Sequence, residues 1–297
     1  NCFVYEKVMD ERGNAMHRSF GNAIDFDEAV DQMGADVTRW LFLGTNPSTN
    51  VKFGFTPAKE VVRKLLTLWN IYSFFLTYAE LDGFDPTDIR VPVKNRPAMD
   101  RWVLSRVEEL RELTEQGYEN YWIYPSIRAI ETFWDDLSNW YVRINRRRFW
   151  KSQADADKQA AYATLYEVLE SLAVLIAPLM PFLAEKIYQD VVVPANEDAP
   201  PSVFLNPWKE SGSYERDQTL ESEMQTVRQV VSLGRAARSA SGIKARQPLS
   251  ELALGLPQEE DRTAIETHMS IVLDEINVKS VRFVETGSDL LSYELKP

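Results

Sequence analysis

Apolar residues recur at steps of three and four positions along most of the chain between residues 57 and 244, which is the spacing of amphipathic helices. Proline opens and glycine closes several of these stretches, as is common at helix ends. The pattern predicts five long helices, over residues 57–83, 97–117, 125–151, 156–177 and 214–240, and a shorter helical piece between residues 181 and 192. We therefore expect a helical bundle with short connections in the middle of the chain.

The 56 residues that precede this bundle have a mixed pattern. A strand is predicted for residues 3–8 and a turn for residues 10–14. Two short helices are predicted for residues 25–33 and 36–43, and residues 44–55 are predicted to form a loop because proline, glycine and small polar residues are frequent there. The first segment is therefore expected to combine short strands, short helices and loops.

The last 50 residues change character again. Strands are predicted for residues 249–256 and 276–285 on either side of a helix over residues 258–275, and a third strand is predicted for residues 292–295. This end is either a small α+β appendage or the start of a larger one. The whole chain is thus predicted to be mainly α, with three segments at residues 1–56, 57–244 and 245–297.

Composition excludes several classes of protein. The chain has 297 residues, of which 44% are hydrophobic and 26% are charged, as in globular proteins of about two domains. One cysteine, Cys2, excludes a disulfide scaffold, and with only His17 and His268 we expect no metal site. No apolar stretch is long enough to span a bilayer and no signal peptide is present, so a cytoplasmic location without a membrane partner is expected. The first residue is Asn, so we expect a piece of a longer protein.

The charge is unevenly distributed along the chain. The 33 basic and 45 acidic residues give a net charge of −12, which by itself argues against nucleic-acid binding, and we expect no DNA partner. Residues 137–154 and 225–250 nevertheless contain several Arg and Lys residues and no acid. These two basic segments could form a local surface for anions or RNA.

No motif of a self-contained active site is present, because the chain has no Gly-rich phosphate loop, nucleophile elbow or HExxH sequence. Residues 14–24 form a stretch in which Arg18 and Ser19 could donate hydrogen bonds to phosphate oxygens. The alternative is a surface turn that carries an incidental arginine.

The first basic segment lies at the end of the third predicted helix. Arg143, Arg147 and Lys151 are spaced to share one helical face, and Arg146 lies beside them. Arginine binds phosphate through two nitrogens, and Trp or Phe could stack on a base. The alternative is that Trp140, Tyr141 and Ile144 are core and the arginines pair with acids on neighbouring helices.

The second basic segment covers the end of the fifth predicted helix and the residues after it. Arg235 and Arg238 lie on that helix, and Lys244 and Arg246 follow Gly242. Basic side chains and backbone amides at such a junction could contact an RNA backbone. The alternative is a helix stop followed by a basic linker.

Four motifs in this order resemble the C-terminal portion of the isoleucyl-tRNA synthetases, a family of class I aminoacyl-tRNA synthetases. Residues 16–22, Met-His-Arg-Ser-Phe-Gly-Asn, are similar to the K-M-S-K-S loop with its G-N sequel, and residues 34–40 to the G-A-D-x-x-R-W helix. Residues 139–150 resemble the W-Y-(I/V)-R-x-x-R-R-R-F-W run, and residues 243–249 the I-K-x-R-Q-P-L segment. The motifs cover nearly the whole chain. The last two favour isoleucine enzymes over their valine and leucine relatives.

The resemblance implies what the chain does. Full-length members use ATP and Mg²⁺ to attach isoleucine to tRNA(Ile) through an aminoacyl-adenylate. This chain would contain the phosphate-binding loop, connecting helices and the anticodon-binding helical bundle of a class I synthetase. It lacks the H-I-G-H motif, so we expect a monomeric, tRNA-binding piece that is not catalytic alone and holds no cofactor by itself.

The resemblance also assigns roles to residues. Arg18, which stands at the second lysine of the loop motif, and then Ser19 are expected to contact the ATP phosphates, with Met16 and His17 completing the loop. Ala15 stands at the first lysine and cannot make that contact. The cysteine cluster with which bacterial relatives often end is absent from this sequence. The expected tRNA contacts are Arg143, Arg146, Arg147, Lys151, Arg235, Arg238, Lys244 and Arg246.

Two alternatives remain open from the sequence. One is the matching region of a valyl- or leucyl-tRNA synthetase, which a panel of tRNAs would separate. The other is a free-standing helical module that binds proteins, which the net charge of −12 favours.

Overall fold

The chain divides into two compact units, residues 1–216 and 217–297. The computed structural model describes residues 6–88, 91–151, 155–208 and 214–285. The strand predicted for residues 292–295 and the first half of the one predicted for residues 3–8 lie outside these ranges. The boundary between the units falls inside the segment predicted as one bundle, so the fifth long helix belongs to the second unit.

The first unit begins with a two-stranded parallel sheet. Strand β1, Val8–Asp10, pairs with β2, Val51–Phe53, and helices α1, Phe26–Met33, and α2, Ala35–Leu43, lie between them in sequence. The prediction of two short helices is confirmed. The prediction of a loop over residues 44–55 is wrong at β2, where Val51 and Phe53 are buried and Lys52 is exposed.

A hydrophobic cluster lies beneath this sheet and joins it to the first long helix. Val51 and Phe53 of β2 pack there with Met33 of α1 and Leu41 of α2. Ala58, near the start of the following helix, completes the contact. The short N-terminal elements are therefore anchored to the bundle through buried apolar side chains.

The rest of the first unit is a helical bundle, as predicted. Its helices are α3, Phe55–Asp82; α4, Ala98–Glu119; α5, Ile123–Asp136; α6, Arg143–Trp150; α7, Ala156–Ile176; and α8, Pro181–Val191. Helix α4 packs against α5 and α7, and α7 packs against α3 and α8. Most of α7 is buried, so this helix is the centre of the core.

Helix α4 continues past Gly117, where the sequence pattern predicts that it ends. Gly117 is helical, and a Cβ atom at this position would meet the Ser126 side chain and lie 3.3 Å from the Trp122 carbonyl oxygen. The glycine is thus required for the close approach of α4 and α5, and it does not mark a helix end.

Residues 123–150 form one helical run that changes its winding in the middle. A π-helical segment, Leu137–Val142, separates α5 from α6 and buries Trp140, Tyr141 and Val142. The predicted helix over residues 125–151 is confirmed in extent, but the sequence did not predict the wider turn. The run ends at Trp150, so Lys151 lies beyond the helix in an extended conformation.

The second unit contains the long helix α9, Gln218–Ala240, and a parallel pair of strands, β3, Leu252–Gly255, and β4, Val281–Val284. Helices α10, Glu259–Thr267, and α11, Met269–Ile276, connect the strands and pack against α9. The strands predicted for residues 249–256 and 276–285 are confirmed at β3 and β4. The single helix predicted over residues 258–275 is wrong at His268, which leaves helical geometry and divides it in two.

None of the helices within the described ranges combines the length and the apolar character that crossing a bilayer requires.

Candidate nucleic-acid interface and phosphate-binding loop

The loop at residues 15–22 is held in shape by one side chain near its end. The Asn22 side-chain oxygen accepts a hydrogen bond from the His17 backbone N–H at 2.9 Å. Its amide group donates to the Ala15 carbonyl at 3.0 Å and to the Asp10 carboxylate at 3.1 Å. Met16 packs against the hydrophobic cluster beneath the sheet. Both ends of the loop are therefore fixed to the N-terminal elements.

Asp10 is the acceptor on which this arrangement depends. Its carboxylate receives backbone N–H groups from Arg12 at 3.0 Å and Asn14 at 2.7 Å, together with the side-chain amides of Asn14 and Asn22. The hydrogen bond from the Asn14 backbone, followed by that from the Asn22 side chain, lowers the pKa of Asp10 to about 2. The charged form of Asp10 is thus the form that the loop stabilises.

The tip of the loop presents the candidate phosphate donors to solvent. Residues 18–20 form a single 3₁₀ turn that ends at Gly21 in the left-handed region, with φ 65°. The Arg18 side chain is 84% exposed, and its guanidinium pairs with Asp25 at 2.7 Å. Ser19 is exposed and has no hydrogen-bond partner among the described residues. One cation, which is paired with Asp25, and one hydroxyl are therefore exposed at the tip, and such donors suit phosphate oxygens.

The motif at residues 34–40 performs a structural task. The Asp36 carboxylate accepts the backbone N–H groups of Phe182 at 3.4 Å and Leu183 at 2.7 Å, in the first turn of α8. The Arg39 guanidinium donates to the carbonyls of Pro178 and Leu179 at 2.8 and 3.0 Å. Helix α2 therefore binds both sides of the corner between α7 and α8.

The arginine-rich run of α6 has one member that faces the core. Arg148 pairs with both carboxylate oxygens of Asp100, at 2.6 and 2.7 Å, and Asp100 is fully buried. The Tyr141 hydroxyl donates to Asp100 at 2.8 Å, and burial, together with Asp100, raises the pKa of Tyr141 well above 10. This arginine was not among the predicted contacts, and it stabilises the bundle.

Its neighbours Arg146 and Arg147 are exposed. The Arg146 guanidinium lies near the ring of Phe74, 5.9 Å from its centroid, and near that of Trp150, 5.7 Å away. Arg147 contacts no acid among the described residues, and Trp150 is 54% exposed. We name Arg146, Arg147 and Trp150 the α6 surface. It combines cations for phosphates with an aromatic face on which a base can stack.

The other two predicted contacts of this segment are engaged within the protein. The Arg143 side chain donates to the Asn139 carbonyl at 2.7 Å. Lys151 pairs with Asp155 at 3.2 Å and with Asp157 at 2.7 Å. The expectation that Arg143, Arg147 and Lys151 share one helical face is wrong at Lys151, because α6 ends one residue earlier.

The predicted contact set omitted Trp150. Its position directly after three consecutive arginines and a phenylalanine was the signal that could have identified it. The sequence left open whether Trp or Phe of this run could stack on a base; in the structure Phe149, at 1% exposure, belongs to the core and Trp150 is exposed.

In the second unit, too, some of the predicted contact residues are engaged within the protein and others are exposed. Arg238 is 6% exposed and donates to the backbone carbonyls of Lys244 and Gln247, which shapes the turn after α9. Arg235 pairs with Glu275. Lys244 and Arg246 are exposed on that turn and have no acidic partner among the described residues. Arg238 therefore holds the turn that presents these two cations.

Comparison with known proteins gives three findings. Residues 100–253 match the family model described as the anticodon-binding domain of tRNA ligase. The whole chain is 42% identical to an isoleucine–tRNA ligase of Thermus thermophilus and 40% identical to one of Clostridium novyi, and it spans 29% and 28% of their lengths. A solved ternary complex of LeuRS, tRNA and LeuAMS from Agrobacterium radiobacter K84 has a similar fold, with a TM-score of 0.51. The similarity covers 73% of this chain and 24% of the chain in that complex, and the two sequences are 17% identical. The predicted fold class is confirmed.

Proposed function

The chain belongs to the family of tRNA ligase anticodon-binding domains, and we propose that it is the part of an isoleucine–tRNA ligase that binds tRNA(Ile) and carries the phosphate-binding loop. The relatives that are 38–42% identical over nearly the whole chain are named isoleucine–tRNA ligases, which supports isoleucine as the amino acid. We also propose that the protein is monomeric and located in the cytoplasm. The three predicted segments would correspond to loop, anticodon-binding and appendage regions.

The observation that carries the tRNA proposal is the α6 surface. Arg146 and Arg147 lie in an acid-free segment and are exposed, whereas Arg148 is committed to Asp100. Guanidinium groups bind phosphates through paired hydrogen bonds, and an exposed indole stacks on unpaired bases such as those of an anticodon loop. The net charge of −12 weakens non-specific attraction of RNA to the rest of the chain.

In the second unit, Lys244 and Arg246 are the proposed phosphate contacts. Arg238 supports them by holding their turn, and it is too deeply buried to reach an RNA strand. Arg235 would have to leave Glu275 first. Of the eight cations predicted from the sequence, Arg146, Arg147, Lys244 and Arg246 are thus the strongest candidates.

The loop at residues 15–22 is the proposed contact with ATP in the full-length enzyme. ATP with Mg²⁺ would supply the adenylate that activates the amino acid. The Arg18 guanidinium and the Ser19 hydroxyl would bind its phosphates, since both lie at the exposed tip. Asp25 holds Arg18 in the present conformation, and a phosphate would replace that carboxylate as its partner.

The α6 surface is tested with the double substitution Arg146→Gln/Arg147→Gln in the complete 297-residue chain. Its matched control is Arg63→Gln/Arg128→Gln, which changes the net charge equally at exposed positions of the same unit. Arg128 lies about 27 Å from Arg146 along the helical run. Binding of fluorescently labelled isoleucine tRNA is measured by anisotropy as a function of salt concentration.

We expect the α6 double variant to bind more weakly and to show a shallower salt dependence. Each lost phosphate contact reduces the slope of log K against log salt concentration by about 0.7, so two should reduce it by about 1.4. The control should retain the wild-type slope. Equal losses in both double variants would assign the binding to overall charge and would contradict the proposal.

A further inference from the structure

A cavity of about 970 Å³ lies in the first unit, on residues that play no part in the proposed tRNA and ATP contacts. It is formed by the C-terminal end of α3, the turn over residues 83–87, Tyr166 of α7, the end of α8 and residues 194–198. Ligand-binding cavities generally measure about 300–1,000 Å³, so this one is at the upper end of that range.

The floor of the cavity is aromatic. Phe75, Phe84 and Tyr166 lie with ring centroids 6.2–6.5 Å apart. Tyr162 stacks on Phe84 at 5.1 Å and supports that ring from outside the cavity lining. Such a floor offers ring faces to an aliphatic chain or to a cation.

The rim of the cavity is acidic. Its carboxylates belong to Glu80, Asp85, Asp190, Glu197 and Asp198, and no Lys or Arg lines the cavity among the described residues. Asp190 is partly neutralised, because it pairs with Lys186 at 2.8 Å and accepts a hydrogen bond from Tyr72. The carboxylates of Glu80, Glu197 and Asp198 have no partner in the described part of the chain. The cavity is thus complementary in charge to a cation.

We propose that this cavity binds a basic peptide segment that carries arginine or lysine next to apolar residues. The aliphatic part of each basic side chain would lie on Phe84 and Tyr166, and its charged group would reach the rim carboxylates. The apolar residues of the peptide would cover the remainder of the floor. This proposal does not depend on the proposed tRNA function.

A basic peptide with apolar residues matches both the acidic rim and the aromatic floor of the cavity. RNA phosphates would face the carboxylates of the rim without any lining cation, so RNA is disfavoured. The free carboxylates lie on two separate segments, Glu80 on α3 and residues 197–198 after α8. An occupant that pairs with both segments needs more than one cation, and a peptide with several basic side chains supplies them.

The test uses an end-blocked, fluorescein-labelled hexapeptide of alternating arginine and leucine, titrated with the complete chain and followed by fluorescence polarisation. The rim variant is Glu197→Gln/Asp198→Asn, at exposed positions outside the helices. The matched control is Asp27→Asn/Glu28→Gln on α1, which changes the net charge by the same amount. A third variant, Phe84→Leu, keeps the floor apolar and removes one ring face.

We expect the rim variant to bind the peptide roughly fivefold more weakly, since each exposed ion pair contributes little individually. Phe84→Leu should also weaken binding, and the control should bind as the wild type does. Equal weakening in rim variant and control would show general attraction to an acidic chain and would overturn the proposal. Unchanged binding in the rim variant would overturn it as well.

Discussion

The three consecutive arginines 146–148 of α6 have different roles in the structure, and the sequence predicted only part of this difference. The acid-free segment predicted a basic surface, and Arg146 and Arg147 are indeed exposed. Arg148 faces the core, because its guanidinium pairs with the buried Asp100, 48 positions away on α4. A π-helical segment lies between α5 and α6, and no local pattern indicated that segment. The sequence therefore predicted the cations but could not separate the structural one from the others.

The buried pair leads to a prediction about stability. Replacing Arg148 with methionine leaves the Asp100 carboxylate buried without its cation, which should cost about 3–5 kcal/mol of unfolding free energy. The matched control Arg147→Met removes the neighbouring exposed arginine and should change stability by no more than about 0.5 kcal/mol. Urea denaturation followed by circular dichroism measures both. Equal destabilisation by the two substitutions would contradict the assignment of Arg148 to the core.

The loop at residues 15–22 leads to a prediction about pH. The pKa of Asp10 is lowered from 3.8 to about 2 in the folded protein, so the charged carboxylate stabilises the loop above pH 4, and this contribution is lost as the pH falls through 2. The backbone amide signals of Asn14 and His17 should therefore shift with a midpoint near pH 2 in nuclear magnetic resonance spectra. In Asn22→Ala the midpoint should move toward 3.8. A midpoint that is the same in both proteins would show that Asn22 does not hold the loop.

At the scale of elements, long amphipathic helices were predictable, whereas a short strand and a change of helical winding were not. Helices α3, α4 and α7 have enough turns for the spacing of apolar residues to be unambiguous. Strand β2 has three residues and a partner 43 positions earlier, so its alternation is too brief to distinguish it from a loop. Such elements are determined by tertiary contacts, and a local pattern carries little information about them.

In the motif at residues 34–40, the contact between Asp36 and the start of α8 can be tested by substitution. At the start of a helix, the side chain of the preceding residue normally accepts hydrogen bonds from the first backbone N–H groups. At the start of α8, Asp36 of α2 accepts these hydrogen bonds instead. Asp36→Ala should reduce stability by about 0.5–2 kcal/mol. Asp31→Ala, at an exposed position on α1, is the control and should have little effect. Similar values for the two variants in thermal or urea unfolding would exclude the capping role.

At the scale of the whole molecule, fold class followed from periodicity, but the division into two units did not. The apolar face of α9 could have packed on the bundle as well as on the residues that follow it. Val227, Val230 and Val231 of α9 are buried, and the helix packs against α10 and α11 of its own unit. Sequence spacing gives the apolar face of a helix without identifying its partner, so the boundary at residue 216 required the structure.

The division also changes how the candidate tRNA contacts are understood. The cations predicted as one set belong to two units, with Arg146 and Arg147 in the first and Lys244 and Arg246 in the second. In each unit, an arginine engaged within the protein supports the exposed cations: the partly buried Arg148 fixes α6, and the buried Arg238 fixes the turn after α9. The sequence therefore indicated the right segments, while burial separates the supporting residues from the candidate contacts.

The measurement that tests the central claim most directly is a titration of the complete chain against fluorescently labelled isoleucine tRNA and one non-cognate tRNA. Each titration is performed at about 50 and 200 mM salt, a range over which phosphate-dependent binding weakens steeply. The account predicts tighter binding of the isoleucine tRNA and a marked loss of affinity at the higher salt concentration. Absence of binding, or equal and salt-insensitive binding of both tRNAs, would contradict it.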